Sequence, residues 1–350
     1  MTLKVAGVVS FYMAAALVMV FVNKAVLNNA PNLPLLFLLV QLLIAVVLLH
    51  LSAAFSQKIE MPKFDVHVAK KLIPVVLVNI VGLVFNTLCL RDVEASFFQI
   101  ARGLVLPLTI FVSCIHTRIA PTQKVLIAAA MVTIGFLVGV APSSSVPQSA
   151  TPSLLSLFYG VLSSFFIAVH AVLIKSSLPY CNNSTIQLAW WTNFGSALFL
   201  LPAVIIHGEL ALIISLIRSG IWDGTVFFWG SLVTGFFGFL LCVAGLLSIK
   251  VTSPITHMFS SAARSVIQTL LGVWIFNDLL TVNRGASILV ISGGTMFYTW
   301  IKSIEPIPAS GSPPHRTNDV EATGSETLLM KVSDDESLPR EPSTDFPDEK

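Results

Sequence analysis

The sequence predicts an all-α membrane protein, ten transmembrane helices in two inverted five-helix repeats, and three observations carry that prediction. Of its 350 residues 55% are hydrophobic and 11% charged, with mean hydropathy +0.85, whereas a soluble domain is about 25% charged. The apolar residues gather in runs of roughly 20, the length a helix needs to cross the hydrocarbon core; a membrane barrel would show shorter, alternating segments. Polar features recur at matching places in the two halves of the chain, as in transporters built from inverted repeats.

The runs are expected at 5–26, 34–54, 72–90, 96–115, 122–140, 154–174, 186–207, 227–249, 254–276 and 283–301. The first has only Lys4 ahead of it and no small-residue cleavage site, so it reads as a retained helix. It ends in Phe21-Val22-Asn23-Lys24, echoed by Val172-Leu173-Ile174-Lys175 at the end of the sixth. On charge grounds alone Lys24, in the last turn, is a snorkelling anchor. Arg91 ends the third run and Arg102 lies inside the fourth; Lys250 ends the eighth and Arg264 lies inside the ninth. Each internal arginine is followed by an apolar stretch, a short polar turn (121–124 or 281–284) and a last run with Gly135 and Gly139 or Gly293 and Gly294. Glycines of the eighth run (Gly230, Gly235, Gly238, Gly245) read as close-packing positions.

Five helices per repeat is an odd number, so the second repeat inserts upside down relative to the first. The expected organisation is a first repeat over 1–140, a non-cytosolic linker over 141–153, a second repeat over 154–301 and a disordered cytosolic tail over 302–350. Residues 1–301 hold 15 Lys and Arg against 7 Asp and Glu, while 302–350 hold 5 against 11 and are rich in Pro, Ser and Thr. With both termini in the cytosol, ten Lys and Arg fall in cytosolic segments and three (Arg91, Arg218, Arg284) on the opposite side, as the positive-inside rule requires. The sequons at Asn182 and Asn183 then face the cytosol and stay unglycosylated.

Arg264 carries the functional argument. An unpaired guanidinium in a hydrophobic run costs about 2.5–3.5 kcal/mol to insert, and no acidic residue lies in the ninth run to offset it. Small and hydroxylated residues surround it (Ser260, Ser261, Ala262, Ala263, Ser265), which let helices approach closely and supply hydrogen bonds. The run reads as one wall of a water-accessible cavity that receives an anion. Arg102 stands about two turns into its run, where ligand contact, snorkelling and pairing with Glu94 are alternatives. Trp190 and Trp191, with Asn193, read either as an interfacial aromatic belt or as a stacking surface for a base. Asn86 and Gln99 are further polar candidates inside runs.

Other classes fit less well. Cys89, Cys114, Cys181 and Cys242 are scattered and suggest neither a disulfide framework nor a metal site, and no cofactor or nucleic-acid motif is present. The acidic residues Asp92, Glu94, Glu209, Asp223 and Asp278 sit in or next to loops, so a membrane-embedded enzyme is not expected. A receptor or scaffold with structural arginines is the alternative from a different class.

The stretch 249–257, with Ser260 and a basic residue at 264, resembles the nucleotide-sugar transporters of the drug/metabolite transporter superfamily, and within them the GDP-fucose transporters. Asn23-Lys24, Phe85-Asn86, Leu88-Cys89-Leu90, Arg102, Gly208-Glu209-Leu210 and 235–239 extend the resemblance over residues 5–303. It implies ten helices with both ends cytosolic and residence in the Golgi membrane, with the ER membrane as the alternative. It also implies exchange of a cytosolic nucleotide-sugar for a lumenal nucleoside monophosphate, in support of glycosylation. GDP-sugar members carry an aromatic-aromatic-Asn-Asn motif on the seventh helix and a Gly-Ala-Leu-Asn-Lys-like motif on the ninth. Here these read Trp190-Trp191-Thr192-Asn193 and Ser260-Ser261-Ala262-Ala263-Arg264, with Phe98-Gln99 where relatives tend to show Tyr-Asn and Met258 in place of an Asn. The substrate residues so implied are Arg264, Arg102, Lys24, Asn23, Asn86, Gln99, Trp190, Trp191, Asn193, Ser260, Ser261 and Lys250. Besides the nucleotides the partners are membrane lipid and, compatibly, a second copy of the chain. GDP-mannose, a UDP-sugar or a phosphorylated metabolite are alternative substrates.

Overall fold

The computed structural model describes residues 2–55, 60–141, 153–220, 222–251 and 254–304, and for 241–251 and 254–262 the helical backbone alone. The expected linker and tail fall largely outside these residues. Among the described residues all regular structure is helical. The first half holds α1 (Thr2–Asn29), α2 (Pro34–Phe55), α3 (Val66–Asp92), α4 (Ala95–Gly103), α5 (Val105–Thr117) and α6 (Gln123–Val140). The second holds α7 (Leu154–Ser177) with a 3-10 turn at Leu178–Cys181, then α8 (Thr185–Ile206), α9 (Glu209–Ser219), α10 (Thr225–Val251), α11 (Pro254–Phe276) and α12 (Val282–Ile304).

Local chemistry sets several boundaries. The Asp65 carboxylate accepts from the backbone N–H of His67 at 2.8 Å and starts α3; the Ser153 hydroxyl accepts from Ser156 at 3.1 Å and starts α7. The expected fourth run is not one helix: it breaks at Leu104, between α4 and α5. Pro107 explains the break, because it has no N–H to give to the carbonyl of Gly103. The helix α9, absent from the expected runs, is bounded by Gly208 (φ 78°) and Gly220 (φ 66°), left-handed positions where glycine is unstrained.

Six helical stretches among the described residues are long and apolar enough to cross a membrane: Pro34–Phe55, Val66–Asp92, Phe97–Thr117, Gln123–Val140, Leu154–Ile174 and Thr185–Ile206. Shorter apolar helical stretches cover Met13–Asn29, Thr225–Leu240 and Ala263–Phe276. The packing crosses between the halves: α1 lies on α10, α3 on α7, α2 on α8, α4 on α11 and α6 on α12. Glycines permit the closest approaches. A Cβ on Gly82 would come within 3.1 Å of Phe166 Cβ, and one on Gly135 within 3.1 Å of the backbone nitrogen of Ile291.

One tie between the halves is electrostatic. Glu209, at the start of α9 and 1% exposed, accepts from the backbone N–H groups of Leu35 at 3.3 Å and Leu36 at 2.6 Å, in the first turn of α2. A carboxylate there satisfies donors that the helix cannot and complements its positive end. We expect Glu209→Ala to lower stability by about 1–3 kcal/mol, the cost of buried donors left without acceptors, and Glu209→Gln to lose less. Apparent Tm in detergent checks this; an unchanged Tm for the alanine variant would mean that the cap contributes nothing.

Candidate substrate site

The best-placed polar seam runs between α4 and α11. The Gln99 side-chain Nε2 donates to Ser265 Oγ at 2.8 Å, and Gln268 Nε2 donates to the carbonyl of Ala95 at 3.4 Å. Moving up α4 from 95 to 99 moves down α11 from 268 to 265, so the two helices cross antiparallel. Two residues beyond Gln99 on α4 is Ala101, and two before Ser265 on α11 is Ala263, the neighbours of Arg102 and Arg264. Arg102 lies three residues beyond Gln99 on α4 and Arg264 one residue before Ser265 on α11, one from each half of the chain. Arg102 is exposed and lies 5.8 Å from the Phe98 ring; Arg264 is half-buried. Behind α4, Ser164 of α7 donates to the carbonyl of Ala101 at 2.9 Å and ties the crossing to the bundle.

A second polar group joins α1, α2 and α10. The Gln41 Nε2 donates to Asn23 Oδ1 and to Thr234 Oγ1, both at 2.7 Å. The Thr234 hydroxyl in turn donates to the carbonyl of Gly230 at 2.8 Å. Sequence reasoning missed Gln41, although a lone amide amid the leucines of α2 was a legible signal. It missed Ser265 and Gln268 as partners of α4 because their role depends on which helix faces them.

Lys24 does not reach this seam. Its Nζ donates to the carbonyls of Leu90 at 2.9 Å and Arg91 at 3.0 Å, in the last turn of α3, where a cation meets the negative end of the helix. Asn86 accepts from Ser163 of α7 at 3.4 Å. Trp190 and Trp191 are buried, 7% and 4% exposed, in an internal aromatic cluster and form no lipid-facing belt. Trp190 stacks on Phe194 with centroids 4.9 Å apart, and Phe64 lies 5.5 Å from Trp191. The Asn193 amide donates to the carbonyl of Ala189 in its own helix at 2.7 Å. Lys250, Ser260 and Ser261 lie where only the helical backbone is described, their side chains outside the described residues. Glu94, which the sequence offered to Arg102, is instead ion-paired with Arg284.

Chemically, the crossing offers amide and hydroxyl groups, with a guanidinium on each of the two helices. A guanidinium gives paired, charge-assisted bonds to phosphate oxygens and keeps its proton in a low dielectric. Among the described residues no group of three or more His, Cys, Asp or Glu could hold a metal ion.

The profile of the Triose-phosphate Transporter family matches residues 3–299. The chain is similar to GDP-fucose transporter 1 of Dictyostelium discoideum, 27% identical over 86% of this chain and 81% of that protein. It is 29% identical to the "GDP-fucose transporter, Golgi" of Drosophila melanogaster over 87% of this chain and 91% of the relative. It is 31% identical to an uncharacterized transporter of Schizosaccharomyces pombe over 86% of this chain and 76% of the relative.

Proposed function

The chain belongs to the triose-phosphate transporter family, a family of transporters and not of enzymes, and from that premise we propose that it is a nucleotide-sugar antiporter of the Golgi or ER membrane. It moves GDP-fucose or a related GDP-sugar into the lumen in exchange for GMP by alternating access. The observation that supports the reading is the antiparallel crossing of α4 and α11, helices from separate halves that carry Arg102 three residues beyond the bonded Gln99 and Arg264 one residue before the bonded Ser265. The names of the relatives in Dictyostelium and Drosophila support the substrate and the compartment.

Ten spans in two inverted repeats are part of this proposal, with α4 and α5 together forming one span and both termini in the cytosol. The packing supports it. Exchanging the halves (α1 for α7, α2 for α8, α3 for α10, α4 for α11, α6 for α12) maps the α1–α10 contact onto α7–α3. It leaves α2–α8, α4–α11 and α6–α12 unchanged. Within the site, Arg264 and Arg102 take the diphosphate; Gln99, Asn23, Asn86, Ser260 and Ser261 take sugar or base hydroxyls and edges; Lys250 adds positive charge at the entrance. The base falls to residues 190–193 of α8. Both indoles are already covered by His50, Phe64 and Phe194, so a base reaches them only when that cluster opens.

Exchange follows from charge. A nucleoside monophosphate carries about −1.5 to −2 at neutral pH, since its second pKa is near 6, and the diester pyrophosphate of a nucleotide-sugar carries one negative charge on each phosphoryl group. Exchanging one for the other therefore moves little net charge across the membrane. Purified protein in proteoliposomes preloaded with GMP is expected to take up labelled GDP-fucose at least tenfold faster than empty vesicles, with external GMP competing and UMP failing to compete. Equal uptake into empty vesicles would overturn the antiport, and competition by UMP but not GMP would overturn the guanine assignment.

A further inference from the structure

We propose that Arg284 and Glu94, with Lys24 and Asp278 beside them, form a charge latch that closes the membrane face carrying the α3–α4 and α11–α12 corners, and that must open for ligand to pass on that face. The inference rests on the transport reading above. It concerns a gate and not the binding groups.

Both halves of the chain contribute. Glu94 stands at the N-cap of α4, two residues after the end of α3, and pairs with Arg284 in the first turn of α12. The Arg284 guanidinium also donates to the carbonyl of Leu279 at 2.8 Å and lies 5.8 Å from the Phe97 ring. It is 4% exposed. Next to this pair, Gln268 of α11 donates to the carbonyl of Ala95. A Cβ on Gly272 of α11 would come within 2.7 Å of Asp278 Oδ2 and 3.6 Å of Ala95 Cβ, so these groups are packed in contact. Lys24 fastens the end of α3 to α1 through the carbonyls of Leu90 and Arg91 and feels the charge of Asp278, Asp92 and Glu94.

The charges distinguish a seal from a binding site. Arg284 is matched by Glu94 and Arg91 by Asp92 at 2.5 Å, while Lys24 and Asp278 add one charge of each sign. A locally neutral cluster has little attraction for a doubly charged anion. The cluster also has the form a reversible closure requires. Each link is a few directed polar bonds between separate helices, and the Glu94 side chain is 27% exposed, so water can replace its partner when the corners separate. The link from α3 to α4 is only Val93 and Glu94. Parting the ion pair therefore moves the end of α3 and the start of α4 together.

The test uses the full chain with its four cysteines replaced by alanine. Glu94→Cys/Arg284→Cys protein, reconstituted with internal GMP, is expected to exchange GDP-fucose when reduced, to fall at least tenfold when the two thiols are joined by a short bis-methanethiosulfonate whose length replaces the lost side chains, and to recover on reduction. A cross-linked pair that exchanges as fast as the reduced one would overturn the latch. A second readout is independent of substrate. Gln268→Cys, directly behind the latch, is expected to react with an impermeant maleimide from that face at least fivefold faster when Glu94→Gln is added, and at the original slow rate in the charge-exchanged Glu94→Arg/Arg284→Glu background. Unchanged labelling in Glu94→Gln would also overturn the latch. Absence of nucleotide-sugar exchange in the cysteine-free parent, with the labelling pattern intact, would count against the transport reading alone.

Discussion

Arg264→Ala is expected to abolish exchange while leaving the protein folded. Truncating one partner of a buried, hydrogen-bonded charge pair costs about 2–5 kcal/mol, which at tenfold per 1.4 kcal/mol is a loss of about 30-fold to more than 1000-fold. The loss should appear in the initial rate of GDP-fucose uptake into GMP-loaded proteoliposomes, with an unchanged elution profile in detergent. Arg264→Lys keeps the charge but loses the planar fork, so an intermediate rate is expected. The position suits a site residue. Arg264 is half-buried and next to Ser265, which is 9% exposed and holds α4 through Gln99. Normal uptake by the alanine variant would return Arg264 to a purely structural role and remove the central support for the anion site.

Gly135→Leu is expected to be the most damaging single change to the fold outside the polar regions. An added Cβ alone would stand 2.9 Å from Ile291 Cγ1, 3.1 Å from the Ile291 nitrogen and 3.2 Å from the Ser287 carbonyl oxygen. Two of those three atoms are backbone and cannot turn aside. Overpacking of this kind costs about 1–3 kcal/mol and sometimes more, and the rest of the leucine side chain adds to it. Apparent Tm should fall by roughly 2–12 °C or the protein should aggregate, taking about 2–4 °C per kcal/mol. The contrast is Gly293→Ala. Nothing lies within 4 Å of a Cβ there, so its Tm should change by no more than about 1 °C, and the repeated glycines of the last helices would then be unequal in use.

Residue by residue, legibility followed the range of the interaction. The apolar runs were visible because membrane insertion depends on summed hydrophobicity over a window of consecutive residues. The motif at 249–264 led to the transporter family, which the match over 3–299 bears out. Pairing was not legible in the same way. By sequence Glu94 is a candidate partner for Arg102, eight residues away, and the structure pairs it with Arg284, 190 residues away. Trp190 and Trp191 could be read as a lipid belt or a stacking platform, and neither reading foresaw Phe64 and Phe194 covering them. The break at Leu104 was locally legible, since Pro107 lies three residues further on. The short helix α9 was overlooked because its eleven residues are too few to span a membrane.

By itself the sequence determined that this chain is a helical, multi-pass membrane transporter, because hydrophobicity, charge bias and motif are properties of consecutive residues. Only the tertiary structure decided that Arg284 is matched by Glu94, that Glu209 caps α2 across the two halves, and that α4 and α11 cross antiparallel through Gln99 and Ser265. The physical reason is that electrostatic pairing and close packing depend on separation in space, and in a bundle whose halves interleave, neighbours in space lie far apart along the chain.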